Sequence, residues 1–96
     1  MQIFIDGGIR RGTDVLKAIA LGVTAVGLGR PFLYSLSSGY GEAGVRKMIA
    51  ILRHEIETNM VFLGATRFDE LGMDLLNSAR LEREVAGLSQ TVAAKL

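Results

Sequence analysis

The sequence has no cysteine, a single histidine and a single proline, and its acidic and basic side chains nearly cancel to a formal charge of +1. Without thiols it can form neither a disulfide framework nor a thiolate metal site. That absence suits a reducing compartment without requiring one. The near-neutral balance argues against a dedicated nucleic-acid binder, which would need a basic stripe. No apolar run approaches the ~20 residues that a helix needs to span a bilayer, so no membrane partner is expected. Met1-Gln2 leads directly into Ile3-Phe4-Ile5, with no basic region or cleavage pattern. A targeting segment is therefore not visible, and in a piece of a longer chain that says nothing about the destination of the whole.

What is present is globular in character. Hydrophobic residues make up 49% of the 96 positions and charged residues 22%, a balance unlike that of a disordered chain. The length allows one small domain at most, and a chain this short buries too small a share of its surface to be more than marginally stable.

Along the chain, Gln2 to Ile5 reads as a short strand. Its consecutive apolar and β-branched residues suit burial on both faces. Asp6-Gly7-Gly8 breaks it. Thr13 and Asp14 predict a helix start, with a hydroxyl to cap free amides and an acid beside the positive end. Val15, Leu16, Ile19 and Ala20 keep helical spacing, and Gly22 reads as a left-handed stop. Thr24 to Leu28 forms a second strand that Gly29-Arg30-Pro31 ends. Strand, glycine loop, helix, strand, glycine loop is the rhythm of parallel βαβ units. From Gly41 a longer helix follows, with Val45, Met48, Ile49, Leu52, Ile56, Met60 and Leu63 on one stripe that would face inward against a sheet. Gly64 is its expected end. Phe68 to Leu76 would hold one or two short helical turns. From Ser78 onward the amphipathic signal weakens, and residues 78–96 read as a tail that needs a partner surface or stays mobile.

Both strands end in glycine with arginine close behind, as DGGIR at 6–10 and GR at 29–30. In a parallel sheet all strand C-termini share one rim, where ligands bind. Gly7, Gly8, Arg10, Gly29 and Arg30 should therefore converge. Glycines let backbone amides approach an anion, and arginine presents a planar fork matched to phosphate oxygens. A strand-end glycine alone is often only a turn, and an arginine alone is usually solvated. Two such loops one βα unit apart point to a phosphate-binding rim. His54, the lone histidine, lies mid-helix between Arg53 and Glu55 and reads as a solvated surface residue, since a base must reach the ligand rim. Glu55 and Glu57 read as a charged helix face. Met48, Met60 and Met73 read as core fillers. Arg11 has a weaker claim than Arg10 and would sit on the surface or pair with a neighbouring acid.

The stretch IFIDGGIRRGTDVLKAIALGVTAVGLGRPFLY, continued by GVRKMIAILRHEIETNMVFLGATRFDEL, resembles the C-terminal part of the FMN-dependent α-hydroxy-acid dehydrogenase/oxidase family. DGGIRRGTD at 6–14 and GRP at 29–31 are its most specific motifs. GLGRPFLYS and ILRHEIE look closest to the flavocytochrome-type L-lactate dehydrogenase branch. The resemblance implies an α/β fold, a partial TIM (β/α)8 barrel in which residues 1–77 supply strand 7, helix 7, strand 8 and helix 8. It implies FMN as cofactor, held by Asp6, Gly7, Gly8, Ile9 and Arg10 through its ribityl and phosphate groups, with Gly29 and Arg30 completing the phosphate clamp. It also implies a small 2-hydroxy-acid substrate, with L-lactate the first choice. The parent would be a homo-oligomer with a cytochrome as electron acceptor, located in the mitochondrial intermembrane space, with cytoplasm or peroxisome as alternatives.

The family's catalytic histidine and its substrate-binding arginine belong to a His-Gly-Gly-Arg type motif well upstream of the DGG loop. Five residues precede Asp6, so that motif is not in this chain and the chain alone is expected to be inactive. Other readings keep the loops and change the reaction. FMN-dependent isopentenyl-diphosphate isomerase ends in a similar pair, and inosine-monophosphate dehydrogenase has a DGG-type phosphate loop. RRGTD and GRPFLY favour the hydroxy-acid family. A non-catalytic short product that binds or assembles is the remaining alternative. It would expose open sheet edges and tend to self-associate.

Overall fold

A computed structural model describes residues 1–77, 79–80 and 82–86. In chain order it contains β1 (Phe4–Asp6), α1 (Gly12–Ala20), β2 (Ala25–Gly27), α2 (Arg30–Ser37) and α3 (Gly41–Leu63), followed by 3-10 turns at Phe68–Glu70 and Met73–Leu75. The expected tail from residue 78 lies largely outside the described residues. Those described there, 79–80 and 82–86, are helical.

β1 and β2 pair in parallel, with Phe4 opposite Ala25, Ile5 opposite Val26 and Asp6 opposite Gly27. Both strands are shorter than the sequence suggests. The pairing is nevertheless extended at its start, where Thr24 N–H donates to the Ile3 carbonyl (2.8 Å) and Ile3 N–H to Thr24 Oγ1 (3.1 Å). Burial of β1 on both faces is not found: Phe4 is 67% exposed. Among the described residues the sheet has two strands, and α1 supplies the helical cover nearest to it, so much of the strands' apolar surface meets no described neighbour.

α1 begins at Gly12 with Arg11 as its N-cap, and not at Thr13. The capping is done from inside the first turn, where Asp14 Oδ2 accepts from the N–H groups of Arg10 and Arg11, each at 3.0 Å. A carboxylate outcompetes a hydroxyl for this place because it also answers the partial positive charge of the helix start. The two expected stops hold. At Gly22 the amides of Gly22 and Val23 return to the Ile19 and Ala18 carbonyls, and at Gly64 those of Gly64 and Ala65 return to Val61 and Met60. This is the reciprocal pattern that closes a helix with a left-handed residue.

The buried apolar core is small, comprising Ile9, Val15, Leu16, Ala18 and Ala20. It lies on and beside α1, which packs against α3, while α2 packs on α3 further toward the N-terminal end of that helix. The α3 stripe is only partly covered: Val45, Met48, Leu52, Ile56 and Met60 are half-buried, whereas Ile49 and Leu63 are exposed.

α2 is an element the sequence reading did not anticipate. Gly29-Arg30-Pro31 was expected only to end a strand, but it also starts a helix, because proline is well tolerated in a first turn.

Close helix contact depends on glycine at two places. A Cβ on Gly12 would lie 2.6 Å from Glu55 Cβ and 2.8 Å from the Ile56 backbone nitrogen. A Cβ on Gly44 would collide with the Ser35 carbonyl oxygen. Alanine in a helix interior normally adds about 1 kcal/mol over glycine. At Gly44 the sign should reverse, because overpacking costs about 1–3 kcal/mol and the obstacle is backbone. Gly12→Ala and Gly44→Ala are each expected to lower the thermal unfolding midpoint followed by far-UV circular dichroism. A raised midpoint in either variant would refute the packing described for that helix pair.

Candidate functional site

β1 delivers Asp6 to the rim, and the chain then reverses through Gly7 (φ 92°) and Gly8 (φ 72°). Both angles lie in the left-handed region, where a β-carbon is costly. Ile9 turns inward and is buried, anchoring the loop from below. Arg10 follows on the outside, its amide fixed by Asp14. Those amide bonds from Arg10 and then Arg11 hold the Asp14 carboxyl below its usual range against an opposing effect of burial, with further help from the Lys17 and Arg10 charges.

β2 reaches the same rim through Gly27, Leu28 and Gly29, since parallel pairing sets Gly27 opposite Asp6. Arg30 opens α2 with Pro31 beside it. The first-turn amides of Arg30 and Phe32 have no acceptor within the helix, and Leu33 is the first to return, to the Gly29 carbonyl at 3.1 Å.

A cleft of about 610 Å³ opens between the two loops. Every residue the sequence reading nominated for the cofactor lines it: Asp6, Gly7, Gly8, Ile9, Arg10, Gly29 and Arg30. Gly27, Leu28, Pro31 and Tyr34 complete the wall and were not nominated. For Pro31 and Tyr34 the signal was the proline next to Arg30, which marks a helix start whose first turns must border the rim.

The cleft presents groups that can bind an anion. Added β-carbons on Gly7, Gly8 and Gly29 would meet nothing within 4 Å, so the backbone there faces open space. Among the described residues, neither Arg10 nor Arg30 forms an ion pair with a carboxylate. Two cations, a glycine-rich backbone and a helix start therefore face one hollow, the donor set that binds phosphate elsewhere.

Arg11 turns away. Its Nε donates to Glu55 Oε1 at 2.7 Å and to Oε2 at 3.2 Å, and Gly12 N–H donates to the same Oε2 at 2.9 Å. Glu55 is thus not merely part of a charged face. Its side chain is only 19% exposed, and the Gly12 amide and then Arg11 hold its carboxyl below the usual range. Its place beside Ile56 at the edge of the apolar stripe was the available clue. Glu57 does behave as a surface charge, accepting from Arg53 at 3.0 Å. His54 is exposed on α3 and does not line the cleft. Among the described residues no group of acidic or histidine side chains is arranged to hold a metal.

The family model for FMN-dependent dehydrogenases matches residues 1–78. L-lactate dehydrogenase (cytochrome) of Saccharomyces cerevisiae is 53% identical over 92 residues, covering 96% of this chain and 15% of the relative. Glycolate oxidase 3 of Arabidopsis thaliana is 54% identical over 71 residues, covering 74% of this chain and 19% of the relative. Among solved structures, the recombinant flavin-binding domain of baker's yeast flavocytochrome b2 superposes with a TM-score of 0.78 at 59% identity, over 81% of this chain and 20% of that one. A flavocytochrome b2 variant with pyruvate bound gives 0.81 at 57% identity, over 85% of this chain and 20% of that one. The chain spans about a fifth of the length of these relatives or less. With its loops, its cleft and these likenesses in agreement, the chain belongs to the FMN-dependent dehydrogenase family.

Proposed function

We propose that this chain is the flavin-phosphate-binding segment of an L-2-hydroxy-acid oxidoreductase, with L-lactate as the favoured substrate. In this reading residues 1–77 form the last two βα units of a (β/α)8 barrel. The observation that carries it is the common cleft: the exits of β1 and β2 place Arg10 and Arg30 on one hollow floored by glycine backbone. Phosphate sites in barrels of this type use the loops after the last two strands and the start of a short extra helix, the place that α2 occupies in this reading.

Each residue then has a role. Arg10 and Arg30 would offset the charge of the phosphate ester and bind its oxygens as planar forks. The Gly7-Gly8 and Gly29 backbone would approach the ester closely, and the start of α2 would add its partial positive charge. Asp6 would accept hydrogen bonds from hydroxyls of the ribityl chain. When bound, FMN supplies an acceptor for the electron pair released as the substrate C–H bond breaks. Proton removal and carboxylate binding would fall to a histidine and an arginine carried by other parts of the barrel. The likeness to an enzyme named for lactate and cytochrome supports the substrate and a cytochrome acceptor.

Two outcomes test this reading. In the complete protein carrying this segment, Arg30→Ala should weaken FMN retention about ten- to a hundred-fold, the range for a lost charge-assisted hydrogen bond. The KM for the hydroxy acid should move little. Flavin content by visible absorbance after gel filtration is the readout, and undiminished content would count against the assignment. The 96-residue chain mixed with FMN and L-lactate should reduce no dye acceptor above the rate of FMN alone. Lactate-dependent reduction by the chain itself would overturn the division of labour.

A further inference from the structure

We propose that Glu55 is a positioning residue that decides which of two adjacent arginines serves the cleft, drawing Arg11 onto α3 and leaving Arg10 at the rim. This rests on the reading above that the cleft receives the FMN phosphate.

The chain between Ile9 and α1 is held by consecutive amides. Arg10 N–H and Arg11 N–H donate to Asp14, and Gly12 N–H donates to Glu55 at 2.9 Å. Asp14 is local, whereas Glu55 comes from a helix more than forty residues further on. Glu55 therefore ties the position of the glycine loop to α3. The same carboxylate takes Arg11 Nε through both oxygens, at 2.7 and 3.2 Å. Arg11 remains 73% exposed, while Glu55 is 19% exposed, so the acid is the fixed member and the arginine goes to it. The fit is tight at this point, because any side chain on Gly12 would strike Glu55 Cβ or the Ile56 backbone.

An arginine pair next to a phosphate cleft poses a choice, since both guanidinium groups are attracted to the same anion. Glu55 resolves it by giving Arg11 a competing carboxylate on the far side of the loop. Neutralising Glu55 would release Arg11 and loosen the Gly12 amide together, so the loop's grip on an anion would become less well defined. Displacements of this kind, remote from the ligand, commonly reduce function by an order of magnitude or more.

The test uses the complete FMN-bearing protein and compares Glu55→Ala, Glu55→Gln, Arg11→Ala, Arg10→Ala and the Glu55→Ala/Arg11→Ala double variant. The FMN dissociation constant, the hydroxy-acid KM and the apoprotein melting temperature are read for each. Glu55→Ala should raise the FMN dissociation constant about ten-fold, in the range found for groups that orient a site's direct ligands, with KM nearly unchanged. Glu55→Gln keeps the shape and one acceptor, so it should fold where alanine fails and show a smaller rise. In the double variant no freed Arg11 competes with Arg10, so its FMN dissociation constant should lie below that of Glu55→Ala, the non-additivity expected of coupled residues. A lowered melting temperature with unchanged FMN affinity in Glu55→Gln would reduce Glu55 to a packing role and overturn the inference. If Arg10→Ala weakens FMN binding while both Glu55 variants leave it unchanged, the inference fails and the cofactor reading stands. If Arg10→Ala also leaves it unchanged, the cofactor reading fails first.

Discussion

Parallel pairing of β1 with β2 is the constraint from which the rest of the molecule follows. Two parallel neighbours cannot be joined by a tight hairpin, so the chain must cross over, and α1 is that crossover. The same pairing sends both strand exits to one side. With Asp6 level with Gly27, the Gly7-Gly8 turn and the Gly29 turn come out side by side. Gly27 contributes by being small, since a β-carbon there would sit 3.3 Å from Asp6 Cβ. An antiparallel arrangement would have put the glycine loops at opposite ends, and no common cleft would exist.

Strand pairing positions the loops, but the helices hold the structure. The buried side chains cluster around α1, which is tied to α3 by the close Gly12–Glu55 crossing. Outside that nucleus the apolar surface is open. Phe4 on the sheet and Phe62 near the end of α3 are 67% and 80% exposed. In the proposed barrel such faces are internal, where neighbouring βα units would cover them. An exposed sheet edge with apolar side chains otherwise invites pairing with another chain.

The parts of the fold legible in the sequence are those governed by local chemistry. Gly22 and Gly64 end their helices because the backbone needs a left-handed residue there, and that need is visible in the sequence alone. The nominated cleft residues were legible because two glycine–arginine loops one βα unit apart must leave a parallel sheet on the same rim. What escaped notice depended on partners distant in sequence or on a residue with two meanings. Gly29-Arg30-Pro31 stops a strand and starts a helix with the same three residues, so α2 was hidden behind the first meaning. Thr13 lost its capping place to Asp14, one residue further on and charged. Glu55 looked like one more acid on a solvated face. Only the approach of Gly12 shows that it faces a backbone amide and a guanidinium at once. The strands' expected burial failed for a related reason, since periodicity reports how a strand would be buried and not whether its neighbours are present.

The proline in the first turn of α2 bears on the character of any grip at that rim. A helix start ordinarily offers a row of amide hydrogens that close round an anion by shape. Pro31 has none, and its ring stands where one would point. That turn therefore has one backbone donor fewer, and the guanidinium charges, whose longer-range attraction dissolved ions screen over about 10 Å at 0.1 M, would carry more of the grip. Attraction of an ester toward such a rim would therefore weaken as ionic strength rises.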